Sequence, residues 1–106
     1  MVARTFSVRL KPDEGPGFSR AVDQEVVPIL RRFAGFRDQI TLMSADGRHA
    51  VGIVFWDRKQ DVDPYIRDGY PEVIKALQKY LEDVPIIATY SVTNWTTREI
   101  FAAAAP

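Results

Sequence analysis

Cysteine is absent from this chain, which removes disulfides, thiolate nucleophiles and thiolate metal sites together. That suits a reducing compartment, so the cytoplasm is the expected location. Histidine occurs once, and no histidine-rich spacing offers a metal site. Charge of one sign is also missing: fourteen Lys and Arg balance fourteen Asp and Glu, for zero formal charge. No field then gathers phosphate backbones or anionic lipid, and neither nucleic acid nor a membrane is expected as a partner. No segment approaches the roughly 20 apolar residues that span a bilayer. Met1 to Leu10 alternates through Arg4 and Arg9 and lacks the apolar run and cleavage site of a signal peptide. Walker, GxGxxG, HExxH and GxSxG patterns are all absent, which excludes the enzyme classes those motifs mark.

What is present is an ordinary globular composition, 46% hydrophobic and 26% charged over 106 residues. One domain spanning 1–106 is expected, with the tail from about residue 97 fraying. Thr5 to Leu10 alternates, Phe6, Val8 and Leu10 opposing Thr5, Ser7 and Arg9, which is the period of a half-buried strand. Lys11 to Gly17 is a loop by its prolines and glycines. From Phe18 the apolar residues Val22, Val26, Ile29, Leu30 and Phe33 take helical spacing, with Pro28 predicting a bend. Gly35 supplies a left-handed cap.

Arg37 to Ser44 and Ala50 to Trp56 form a hairpin around Asp46-Gly47. The second of these strands is apolar almost throughout and should lie centrally. Asp63-Pro64 predicts a helix start closed by Gly69, and Pro71 opens a further helix through Val73, Ile74, Leu77, Tyr80 and Leu81. Ile86 to Trp95 alternates as the last strand.

Strand, helix, hairpin, helix, strand is the βαββαβ order of an α+β, ferredoxin-like fold: a four-stranded antiparallel sheet with both helices on one face. The opposite face must meet something, and a second copy of the chain is the expected cover. The candidates for that homodimer interface are Arg9, Ile87, Thr89, Ser91 and Trp95, on the expectation that the first strand turns Arg9, and the last strand the others, toward the helix-free side.

Three short stretches resemble one family. These are the helix end Gly35-Phe36 entering a strand, Val54-Phe55-Trp56-Asp57 leading into the second helical segment, and Pro85 ahead of a β-rich end. Together they are similar to the dimeric α+β barrel proteins of the antibiotic-biosynthesis-monooxygenase-like group. The resemblance spans roughly Val8 to Trp95. It implies the fold and a homodimer whose sheets face one another, and leaves activity open because the fold hosts oxygenases, heme-degrading enzymes, isomerases and ligand-binding modules. The asparagine that quinone-forming members use has no counterpart in the first strand, and only Trp56 falls at a family-like tryptophan position. Heme-degrading members carry a histidine on the second helix, whereas Pro71 to Glu82 has none, so no heme or other cofactor is expected.

The remaining chemistry is sparse. His49, beside the hairpin turn, is the side chain whose unperturbed pKa suits proton transfer near neutrality, and with Trp56 it is a catalytic candidate. Trp56 offers an indole on which a planar substrate could stack, and Tyr65, Tyr70 and Tyr90 are further ligand-pocket candidates. Asn94-Trp95 pairs an amide with an aromatic ring. Asp57, Asp61, Asp63 and Asp68 read as a solvated, capped loop. Three functional readings stay open. One is a cofactor-independent monooxygenase-like enzyme acting on a small aromatic or polyketide-like compound in a pocket near Trp56. The others are a non-catalytic ligand-binding or regulatory module, and a structural dimer with no ligand.

Overall fold

The computed structural model describes residues 1–96, and the expected fraying of the tail lies outside them. Four strands, β1 (Val2–Arg9), β2 (Phe36–Met43), β3 (His49–Trp56) and β4 (Ile86–Ser91), form one sheet in the order β2-β3-β1-β4. Every neighbouring pair is antiparallel. The first helical run is α1 (Gly15–Ala21), a π turn (Val22–Val26) and α2 (Val27–Leu30). The second is α3 (Lys59–Asp68), α4 (Tyr70–Leu77) and a 3-10 turn (Gln78–Tyr80). This is the α+β, ferredoxin-like arrangement with its helices on one face.

Strand register decides which residues meet the helices. Val2, Arg4, Phe6 and Val8 lie opposite Trp56, Val54, Gly52 and Ala50, and successive residues of a strand point to alternate faces. The core joins Val2, Val8, Ala50 and Trp56 to Phe18, Val22, Val26, Leu30, Val62, Tyr65, Val73 and Leu77 of the helices, so that set of strand residues faces inward. Thr5, Ser7 and Arg9, with Val51, Ile53 and Phe55, belong to the opposite face.

Several local expectations hold for stated reasons. Gly35 adopts φ +88°, and a Cβ there would collide with the Asp61 carboxylate, so glycine both turns the chain and admits α3. At the hairpin the Asp46 carboxylate accepts from the Ser44 hydroxyl (2.6 Å) and the Arg48 backbone N–H (3.0 Å), closing a turn in which Gly47 has φ +71°. The Ser44 bond, helped by the Arg48 N–H, holds the Asp46 carboxyl below its ordinary pKa. The bend at Pro28 is a π turn, in which the Val27 N–H reaches back to the Val22 carbonyl. The widened turn accommodates a proline that an α-helical register would oppose.

Other expectations are corrected. β1 begins at Val2, not Thr5, because Arg4 continues the inward alternation although its charge hides it from an apolar pattern. α3 begins at Lys59, four residues before Asp63-Pro64: the Asp61 carboxylate accepts the Arg58 backbone N–H (3.2 Å) and closes the first turn there. Pro64 therefore sits inside the helix. Gly69 does separate α3 from α4, but at φ −108°, and it is needed because a Cβ would lie 2.6 Å from the Phe33 ring. β4 ends at Ser91 instead of Trp95, and the Val92 N–H just beyond it donates to the Met1 carbonyl (3.0 Å).

The face assigned to β4 is also reversed. Ile87, Thr89 and Ser91 lie opposite Phe6, Arg4 and Val2, on the helix side, while Ile86, Ala88 and Tyr90 join the helix-free face. Of the interface candidates Arg9 remains on the helix-free side, opposite His49. Trp95 lies beyond the last strand.

Candidate functional site: the Arg4 cavity

Between the sheet and the helices lies a partly enclosed cavity of about 40 Å³ that opens to solvent. Since one ordered water needs roughly 10–15 Å³ of such space, the site encloses a few waters, and a ring enters it only by reaching into the open mouth. Its floor is the sheet: Arg4 and Phe6 of β1, Gly52 and Val54 of β3, Gln39 and Thr41 of β2. Its roof is Phe18 of α1, Val22 and Val26 of the π turn, Tyr65 of α3, and Val73 and Leu77 of α4. Gly52 contributes by omission, leaving room in the floor beside Phe6. The π turn matters because Val22 and Val26, its first and last residues, both enter the roof.

Polar groups in this apolar chamber are few. Arg4 is 8% exposed, the one buried charged residue among those described. Its guanidinium carbon stands 4.6 Å from the centre of the Tyr70 ring and 5.6 Å from that of Tyr65, within cation–π range of both. On the edge strand, Gln39 Nε2 donates to Thr41 Oγ1 at 2.6 Å. Burial pushes the Tyr65 hydroxyl up to about 12, with the adjacent Arg4 charge pulling the other way. Burial raises Tyr70 too, again opposed by Arg4. Both phenols are therefore neutral near pH 7, and neither supplies a negative charge to the guanidinium. The lining contains no histidine, aspartate or glutamate, so nothing in it takes a proton near neutral pH. Among the described residues no three His, Cys, Asp or Glu side chains group closely enough to hold a metal ion.

The candidates read from the sequence scatter across this geometry. Tyr65 lines the cavity, and Tyr70 touches it through Arg4 and through an edge contact with Phe6 (6.3 Å). Tyr90 stands on the other face of the sheet, 58% exposed. His49 also belongs to that other face and is exposed, opposite Arg9, so it does not reach the cavity. Trp56 is fully buried, packed against Phe36 (6.0 Å) and Tyr65 (5.2 Å), and is not part of the lining. A pocket walled by Trp56 is thus corrected to one behind which Trp56 forms core. Its indole N–H is buried without a hydrogen-bond partner. Arg4, Gln39 and Thr41 were not singled out from the sequence. The available signal was a charge at an inward position of an alternating strand, visible once that strand is extended to Val2.

No family model matches the sequence, and no curated protein matches it. Solved structures do. A monooxygenase from the gene ActVA-Orf6 of Streptomyces coelicolor, in complex with nanaomycin D, superposes with a TM-score of 0.77 at 17% identity, over 89% of this chain and 88% of that one. SnoaB from Streptomyces nogalater, a cofactor-independent oxygenase, gives 0.74 at 13% identity over 90% and 95%. A conserved protein from Methanosarcina mazei gives 0.72 at 16% identity over 87% and 92%. At these identities the likeness is one of fold: the chain has the ferredoxin-like α+β fold of the antibiotic-biosynthesis-monooxygenase-like proteins.

Proposed function

We propose that this chain is a homodimeric, cofactor-independent monooxygenase-like protein that binds a small, partly apolar aromatic compound in the Arg4 cavity. The observation that carries the reading is the cavity itself. It has apolar walls, a few polar groups at defined points, and a position between sheet and helices in a fold that includes a nanaomycin D-bound monooxygenase and a cofactor-independent oxygenase. The reaction converts a phenol to a quinone. A ring C–H becomes C=O with one oxygen atom of O₂, and the other leaves as water with hydrogens from that carbon and the hydroxyl. The four electrons O₂ gains are those the ring loses. The protein's part is to shape, orient and exclude water.

Dimerisation is supported by the helix-free face. There Leu42 is 52% exposed, Ile86 72% and Tyr90 58%, beside Ile53 in the middle of the sheet. An apolar sheet surface of this kind is one that a second sheet covers.

A specific observation favours a second reading. Because no lining group accepts a proton near neutrality, a non-catalytic ligand-binding module needs nothing that the cavity lacks. Oxygen uptake, measured with single-ring phenols and naphthols against a protein-free blank, separates the two. Uptake matched by quinone formation and abolished by filling the cavity with Val54→Phe supports the oxygenase. Saturable binding without uptake leaves the module, and neither, across a varied panel, removes both.

A further inference from the structure

We propose that Arg4 selects an anionic oxygen, so that the cavity takes single-ring aromatic anions, carboxylates or ionised phenols, in preference to their neutral counterparts. This deepens the reading of the cavity as a ligand site and rests on it. A guanidinium stays charged under all ordinary conditions and presents five N–H donors in a planar fork. Burying such a group without a counter-charge is costly, and buried charges are normally paired. The five ion pairs among the described residues join Arg32 to Glu72, Arg37 to Asp57, Arg48 to Glu82, Arg58 to Asp61 and Arg67 to Asp68; none involves Arg4. What faces the Arg4 guanidinium is the Tyr70 and Tyr65 rings, whose π faces stabilise a cation without filling its in-plane donors, and the Tyr65 hydroxyl, a neutral acceptor for one of those donors. Across the sheet its neighbours are Val54 and Thr89, which bring no charge.

The geometry completes itself with a ligand. Two in-plane donors match the two oxygens of a carboxylate, or an ionised phenol with an adjacent oxygen, in the bidentate manner that favours arginine over lysine. The apolar roof of Val22, Val26 and Leu77 then receives the ring, and Gln39 with Thr41 on the edge strand meets a second polar substituent. The space available admits no more than one ring, seated partly in the open mouth. An anion bound here also needs no base from the protein, which accounts for a lining without one.

The test is calorimetric binding of salicylate, its neutral amide salicylamide, and 4-nitrophenol titrated from pH 5.5 to 8.5. Salicylate should bind about tenfold or more tightly than salicylamide, the scale of one charge-assisted hydrogen bond. 4-Nitrophenol should tighten as it ionises. Binding by salicylate alone assigns the carboxylate, and by both anions the wider class. Arg4→Met keeps the apolar stem and should erase the preference while retaining salicylamide; Arg4→Lys should restore part of it. Circular dichroism and salicylate-dependent thermal shift on the same samples check that each variant folds. Equal affinity of anion and amide for the unaltered protein overturns the anion proposal and leaves the ligand site standing. A preference that survives Arg4→Met overturns the assignment to Arg4. Absence of binding by all three probes, with binding of larger neutral aromatics, overturns the proposal and its size limit together.

Discussion

Trp56 is where opposing energies can be measured against each other. Its side chain is fully buried behind the cavity, between the rings of Phe36 and Tyr65, yet its indole N–H meets no acceptor. Truncation by Trp56→Ala loses the whole ring and leaves a void, at about 3–5 kcal/mol, a large share of the roughly 5–15 kcal/mol that stabilises a domain. Trp56→Phe is different. It gives up part of the buried surface, about 1–3 kcal/mol, but also removes an unsatisfied buried donor whose desolvation costs about 1–3 kcal/mol. The two terms nearly cancel, so Trp56→Phe should unfold within about 1 kcal/mol of the parent. Urea denaturation followed by circular dichroism at fixed protein concentration gives both numbers. In a Trp95→Phe background the emission of Trp56 should be blue-shifted and resist acrylamide. A loss of more than about 3 kcal/mol in Trp56→Phe would show that the N–H is engaged, and the reasoning would fail.

The dimer proposal predicts that Ile53→Asp, at the centre of the helix-free face, yields a folded monomer by sedimentation equilibrium. Ile87→Asp should instead lower stability, because Ile87 is half-buried beside Phe6 on the helix side of the sheet; a monomeric unaltered protein would refute the face argument. Alkaline pH offers a separate check on Tyr65. With its folded pKa near 12 and an unfolded value near 10, the native state holds a proton that the unfolded state releases between them. Stability should be level below about pH 10 and fall from pH 10 toward 12, with the last tyrosine to ionise in a 295 nm titration lost in Tyr65→Phe.

Much of the architecture is legible in local chemistry. The alternation around Phe6 and Val8, the near-continuous apolar run from Ala50 to Trp56, the left-handed glycines Gly35 and Gly47, and Pro71 at a helix start each act over a few residues and need no partner to be read. Their order yields the split βαβ topology because handedness and short connections leave few alternatives. Helix bounds were less legible where a charged side chain does the capping, as Asp61 does ahead of the more conspicuous Asp63-Pro64.

The site was not legible, for a different reason. Alternation divides a strand into two faces without saying which one meets the helices, and a single register choice moved Ile87, Thr89 and Ser91 from the exposed side to the helix side. His49 and Trp56 drew notice by residue type, but type does not place a side chain: one lies on the far face and the other behind the wall. Arg4 reads in the chain as one of fourteen balancing cations. Only the meeting of β1 with α3 and α4 buries it against Tyr65 and Tyr70 and leaves its donors facing a cavity, since desolvation and the absence of a counter-ion depend on what surrounds a charge, and that is decided by contacts distant in sequence.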